Sequence, residues 1–339
     1  MTVYTVLMDF AFASILILVG QLLRAKVPLI QKFFIPSSML AGFLGLFLGP
    51  QFLNVLHFSD SISSYTSVLM IPIFAAIGIN GFKIDKQTMR NEGERVLGYG
   101  LYKAAQSALQ WWLPCLLCVT VGTAIWPEIN NVFGLQLASG FLGGHGTAAA
   151  VGTTLAEMGY ENAGDIGMTF ATVGILTGIF GGIIYIKWAT AKGYTQYIKS
   201  FQYLSGDLKT GMMSPKNRDN MGPEPVNSMA LDPLCWHLCL LLVPSGLGYL
   251  AKTWVKSQFG VNIPDYAFAF ITLGGTKDKG LYRYVNKRMN TRISGTCTDY
   301  LVFFGVAGIN TKVVVEYAAP LIAFSLLGIL ITWAVLFVL

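Results

Sequence analysis

Nine apolar runs divide the chain, at about Val3–Leu23, Phe34–Leu53, Tyr65–Phe82, Gln106–Trp126, Ile166–Trp188, Leu231–Ala251, Val261–Thr276, Gly295–Asn310 and Glu316–Leu339. Most have the roughly 17–25 residues that carry an α-helix across a bilayer, while the seventh and eighth are short and interrupted by Gly or Pro. A different pattern lies between the fourth and fifth runs, over about Gly134–Met158. It is apolar but glycine-rich, and Gly143-Gly144-His145-Gly146-Thr147 stands at its centre. Each interior Gly costs a helix roughly 1 kcal/mol relative to Ala, so this is not an ordinary spanning helix. At membrane depth, non-helical backbone persists only where protein buries it or where it lines a watery cavity. The pattern predicts a re-entrant hairpin with a binding site at its tip. Polar residues with Pro215, Pro223 and Pro225 fill Ala189–Ala230, which reads as a long aqueous linker between two parts of the chain.

Composition narrows the class. The chain is 54% hydrophobic and 12% charged, where soluble domains carry about 25% charged residues. The expectation is an all-α, multi-pass integral membrane protein. The first basic residue, Arg24, follows the first apolar run rather than preceding it, and Asp9 interrupts that run, so it is not a cleavable signal. If the runs alternate in direction and the hairpin returns to its own side, twenty of the 23 Lys and Arg residues fall on one side. Only Lys252, Lys256 and Lys312 fall on the other. Positive residues accumulate in the cytoplasm, which places the N-terminus outside, the linker in the cytoplasm and the mouth of the hairpin outside. The net charge of +6 has this same origin and does not indicate a nucleic-acid partner. The basic stretch Lys277–Arg292 reads as a topology signal rather than as specific lipid recognition. The five cysteines, Cys115, Cys118, Cys235, Cys239 and Cys297, fall in or beside apolar runs and read as packing residues.

The two parts read as copies of one unit. Ile35-Pro36 and Ile263-Pro264 open the second and seventh runs, and Gly78-Ile79-Asn80 and Gly308-Ile309-Asn310 close the third and eighth. An odd number of spans per copy turns the second copy upside down, as in secondary transporters whose sites form from interrupted helices at the midplane. The expected organisation is a first five-helix repeat over 1–188 with its hairpin at about 134–158, a linker over 189–230, and a second, inverted repeat over 231–339. A counterpart of His145 would fall beyond Leu339, so the second repeat is expected to be incomplete and the 339-residue chain inactive by itself.

A helix opening near Thr147 would present free N–H groups and the positive end of its dipole, a seat for a carboxylate. Thr147 and Ser139 bring hydroxyls, and the preceding half-helix brings carbonyls suited to a small cation such as Na⁺. His145 either donates to the substrate or braces the turn. Asn80 and Asn310, at the ends of broken runs, either contact ion or substrate or cap their helices. Asp9, in mid-run, is either a ligand of the coupling ion or an interface residue facing protein or water. Lys103 is long enough to snorkel to the cytoplasmic surface. His57 and His237 read as structural. Gly174, Gly178 and Gly182 share a four-residue spacing that lets another helix approach closely.

Three motifs carry a family resemblance: Gly143-Gly144-His145-Gly146-Thr147 with its following alanines, Phe170-Ala171-Thr172-Val173-Gly174, and Phe74-Ala75-Ala76-Ile77-Gly78-Ile79-Asn80. The chain resembles the bacterial sodium/glutamate symporters over most of residues 30–190, and more loosely from 231 onward. The resemblance implies an inverted-repeat secondary transporter with re-entrant hairpins in the bacterial cytoplasmic (inner) membrane. It implies Na⁺ as the coupling ion and L-glutamate as the substrate, with a homo-oligomer as one possible assembly. The substrate site is expected at Gly143, Gly144, His145, Gly146 and Thr147, and ion ligands among Ser139, Asn80 and Asn310. A sodium-coupled carrier of another small organic anion is the alternative within the class, and a channel the alternative outside it. An enzyme is disfavoured, since neither Gly-x-Ser-x-Gly nor His-Glu-x-x-His occurs; the lack of a P-loop argues against ATP as the energy source.

Overall fold

The computed structural model describes residues 3–33, 35–81, 86–194, 206–218, 220, 222, 224–261, 263–272 and 284–338, and the regular structure among them is entirely helical. In chain order, α1 is Val3–Lys26, α2 Pro28–Phe33, α3 Ser37–Leu48, α4 Ser64–Asn80 and α5 Lys86–Leu117. A wide turn at Cys118–Gly122 leads to α6 (Thr123–Ile125), then α7 Phe133–Phe141, α8 Gly144–Glu157, α9 Ala163–Ala191 and α10 Gly206–Thr210. The chain continues with α11 Pro233–Phe259, α12 Asp265–Thr272, α13 Lys287–Ala307, α14 Thr311–Glu316 and α15 Ala318–Val338. Five stretches are long and apolar enough to cross a membrane: α1, Leu97–Ile125, α9, α11 and the Ala318–Leu336 portion of α15. They make this a multi-pass membrane protein.

Of the other expected spans, the third is found as α4, and the second, seventh and eighth differ from the sequence reading. With twelve residues, α3 is only about 18 Å long, against a hydrocarbon core of roughly 30 Å. Pro36 stands at its N-cap and Gly49-Pro50 stop it, so the apolar letters beyond Leu48 belong to turns. The eight described residues of α12 are shorter still; Thr276, the expected end of that run, and Lys277–Arg283 lie outside the described residues. The eighth helix was expected at Gly295 and starts at Lys287 instead. Its start is set by Asn286, whose Oδ1 accepts the backbone N–H groups of Arg288 and Met289 at 3.0 and 3.3 Å. An N-cap of this kind outweighs the preference of charged residues for loops, so Lys287, Arg288 and Arg292 lie on helical turns. Nor is the linker wholly free: the carbonyls of Leu208 and Thr210, in α10, accept from Arg24 and Gln21 of α1 at 3.4 and 3.3 Å.

The helices gather into two compact units that cut across the sequence halves. The first comprises 1–63, 94–218 and 302–339, the second 64–93 and 219–301. In the first, Phe133 and Leu137 of α7, Ile166 and Phe170 of α9, and Leu321 and Phe324 of α15 form a core together with Cys118. Small residues let the backbones meet there. A Cβ on Gly140 would lie 2.5 Å from the Ala171 nitrogen, and one on Gly152 2.5 Å from the Gly164 Cα, so α7 and α8 both seat against α9. The expected glycine stripe behaves differently. Gly174 does pack closely, with Phe141 Cα 3.0 Å from its notional Cβ, but Gly178 and Gly182 meet nothing within 4 Å. The close approach expected there occurs only at the first of the three.

Asp9 is 1% exposed, and its carboxylate accepts the Ser59 backbone N–H at 3.0 Å and the Ser59 hydroxyl at 2.5 Å. It clamps the loop after α3 onto α1. In the second unit, Ala75, Ala76 and Ile79 of α4 pack with Leu241 of α11, Ala269 of α12, and Met289 and Ile293 of α13.

Overpacking a close contact costs roughly 1–3 kcal/mol. Gly152→Val is therefore expected to lower the melting temperature of the purified protein by several degrees. Gly178→Ala, with open space around its Cβ, should leave it unchanged or raise it; equal melting temperatures for the two variants would contradict the helix contact.

Candidate functional site

Leu142 and Gly143 separate α7 from α8, and the turn closes with the Leu142 N–H donating to the Ala138 carbonyl at 3.0 Å. Gly144 has φ +68°, a left-handed conformation that costs other residues about 1–2 kcal/mol. Gly143 is required for a different reason: any Cβ there would collide with the Thr147 side chain and lie 2.6 Å from the Ser139 carbonyl oxygen. The helix thus opens at Gly144 rather than near Thr147, because one left-handed residue completes the reversal and the next already lies on the helix. Gly143, at the N-cap, makes no side-chain capping bond. The first N–H groups of α8 consequently lack both an intrahelical acceptor and a cap, and they carry the positive end of the dipole. Gly143, Gly144, His145, Gly146 and Thr147 all fall in this tip.

His145 is 2% exposed. Its Nε2 lies 3.0 Å from Thr172 Oγ1 on α9, and the Thr172 hydroxyl donates to the Met168 carbonyl at 3.0 Å. A threonine hydroxyl has one proton. With that proton given to Met168, Nε2–H must donate to the Thr172 oxygen, which leaves Nδ1 as a bare acceptor. Among the described residues Nδ1 has no partner. The ring rests on Gly305, where a side chain would come within 2.5 Å of Cδ2. His237 is the opposite case: its Nε2 accepts the Asn286 N–H at 2.8 Å and Nδ1–H donates to the Pro233 carbonyl at 2.6 Å. Both of its nitrogens are satisfied, and it ties the start of α11 to the cap of α13.

The hydroxyl of Ser139 is turned back along α7, its one proton shared between the backbone carbonyl and Oε1 of Gln136, each 2.9 Å away. Gln136, fully buried, donates from Nε2 to the Ala163 carbonyl at 2.8 Å and so ties α7 to the start of α9. Asn310 lies in the break between α13 and α14 and caps α14, its side chain accepting the Lys312 N–H at 3.1 Å. Its own backbone N–H donates to the carboxylate of Asp165. Asn310 and Asp165 share a cavity of about 250 Å³ with Gln51, Ser59, Asp60 and Ser63. Asn80 belongs to the second unit. Its carbonyl accepts from Lys287 Nζ at 2.5 Å, and its side chain bonds Asn290 and Thr291, each at 3.3 Å. Asn310 therefore caps a helix, whereas the Asn80 side chain bonds two side chains in the first turns of α13. Thr172, Gln136, Asp165 and Gly305 escaped the sequence reading, although Gln136 precedes Ser139 by one turn and Thr172 sits within Phe170–Gly174.

Chemically, the tip offers uncapped N–H donors for an anion and, at Nδ1, an acceptor for a donor group. No curated protein and no solved structure matches the chain. The family model for sodium/glutamate symporters matches residues 3–339, nearly the whole chain, and the protein belongs to the sodium/glutamate symporter family.

Proposed function

We propose that the protein takes up L-glutamate together with Na⁺ across the bacterial cytoplasmic membrane, and that the tip of α7 and α8 is where the substrate is seated. Sodium-coupled glutamate uptake is the activity of the family; the seat, the orientation and the repeat are our reading. In it, α7 and α8 form a re-entrant hairpin entered from outside, and the segments 1–188 and 231–339 are inverted copies joined by a cytoplasmic linker. A substrate carboxylate accepts from the N–H groups of Gly144, His145 and Gly146, with the Thr147 hydroxyl beside it. The ion draws on oxygens within one unit: Ser139 and Asn310 are the candidates in the first, and Asn80 is a separate candidate in the second. One observation carries the seat: a helix N-terminus opened by a left-handed glycine, with no cap, next to a buried histidine holding an unused acceptor. Anions bind such termini because the N–H groups and the dipole both favour negative charge.

Uptake of labelled L-glutamate into proteoliposomes, with and without an imposed sodium gradient, tests the activity; sodium-driven uptake by the 339-residue chain, the outcome expected here, would set aside the inactivity expected from the repeat alone. Uptake indifferent to sodium would contradict the activity. In the same assay Gly144→Val should lose at least roughly tenfold in transport, since a β-branched residue resists positive φ and displaces the N–H groups. His145→Ala should weaken glutamate binding more than it lowers the melting temperature, whereas His237→Ala should do the reverse. Equal behaviour of the two histidine variants would reduce His145 to a brace. For the orientation, single cysteines at Pro215 and Arg288 should react with an impermeant thiol reagent only from the cytoplasmic side, and those at Asp60 and Glu161 only from outside. Labelling of position 161 from inside alone would invert the topology.

A further inference from the structure

Within the first unit, an open cavity of about 290 Å³ lies on the α9 face that carries Gly178 and Gly182, beside Phe141 and Leu142 at the end of α7. Its polar wall comes from α5, which presents Lys103, Gln106 and Gln110 at successive turns. Gln110 is 1% exposed, and its Nε2 donates to the Gly328 carbonyl at 3.0 Å and to Thr332 Oγ1 at 2.9 Å. A carbonyl can only accept, so the amide cannot be turned round. That leaves Oε1 of Gln110 without a hydrogen-bond partner among the described residues. A buried amide oxygen left unpaired is costly, and it calls for a donor that the protein does not supply. Two helical turns away, Lys103 Nζ donates to Gln106 Oε1 at 3.0 Å and lies 5.8 and 5.6 Å from the Tyr99 and Tyr102 ring centroids. An ammonium has three donors, so at least one remains for an anion.

We infer that this cavity is a second seat for the carried amino acid, beside the hairpin tip, in which Gln110 Oε1 receives its amino group and Lys103 a carboxylate. The inference rests on glutamate being the substrate. Lys103 and Gln110 are seven residues, about 10 Å, apart along the helix axis, but Lys103 Nζ reaches to Gln106, about 6 Å from Gln110, a span comparable with that from the amino group of glutamate to its side-chain carboxylate. The cavity's volume lies at the small end of the range for ligand pockets, about 300–1,000 Å³. The two glycines are what keep it open, since nothing stands within 4 Å of a Cβ on either.

Four proteins test this in proteoliposomes: the unmodified chain, Gly178→Leu, Gln110→Met, and Gly246→Leu as a control whose Cβ also meets nothing but which does not line the cavity. Sodium-driven uptake of labelled L-glutamate is measured against inhibition by unlabelled L-glutamate and by glutarate, which keeps both carboxylates and lacks the amino group. Gly178→Leu should lose at least roughly tenfold in uptake at an unchanged melting temperature, and Gly246→Leu should transport normally. Gln110→Met should raise the KM roughly tenfold, as for a lost charge-assisted hydrogen bond, and should narrow the preference for glutamate over glutarate. A purely structural Gln110 would lower protein stability without moving that preference. Normal uptake by Gly178→Leu, as expected if lipid chains fill the cavity, or an unaltered preference in Gln110→Met, would overturn the inference. Absence of sodium-dependent uptake in the unmodified chain would instead remove the proposed activity itself, and is told apart by occurring without any substitution.

Discussion

A backbone amide left unpaired in hydrocarbon costs several kcal/mol, and most of the polar detail in this protein answers to that cost. Each interruption of a helix creates orphan N–H and C=O groups, and at several of them a side chain meets the need. Asp232 caps α11 by accepting from Leu234 and Cys235 at 2.8 and 3.2 Å. Asn286 and Asn310 cap α13 and α14, and Lys287 covers the last carbonyl of α4. The start of α8, like those of α3, α7 and α9, has no side-chain cap. What sets it apart is that it lies in a tightly packed hairpin, opens on a left-handed glycine, and has an N-cap residue with no side chain to offer. Leaving those donors open keeps the tip available to an anion.

The position of that break was legible in the sequence because glycine acts there through its own covalent chemistry: no other residue adopts the conformation of Gly144 cheaply, and Gly143 has no room for a side chain. The long apolar helices were legible for a similar reason, since length and hydropathy are local properties. What escaped was set by neighbours distant in sequence or by a single cap. Nothing local says that Phe52 and Leu53 continue as turns rather than as helix, or that Lys287 and Arg288 sit on helical turns because of one asparagine. Nor does the sequence pair His145 with Thr172, 27 residues away, or Gln136 with Ala163. These are tertiary facts, visible only once α7 and α8 lie on α9.

Glycine spacing illustrates the same limit. Residues at i, i+4 and i+8 share one helix face whatever lies opposite, so the Gly174, Gly178 and Gly182 stripe fixes the face and not its occupant. Phe141 fills the space at Gly174 and nothing fills it at Gly178 or Gly182. A small residue removes a side chain from a surface; whether a backbone, a cavity or a ligand takes the vacated volume depends on the partner helix.

The two buried histidines show how that dependence separates scaffold from site. By sequence alone His145, in a glycine turn, falls in the expected site, and His237, at the opening of an apolar helix, reads as structural. Burial does not separate them, at 2% and 0% exposure. The proton count does. The Asn286 N–H and the Pro233 carbonyl fix one tautomer of His237 and use both nitrogens, so nothing remains for a ligand. Thr172 satisfies only Nε2 of His145, its own proton being committed to Met168, and Nδ1 has no partner among the described residues. A buried acceptor in that condition calls for a donor, and under the proposed function the substrate's ammonium would supply it.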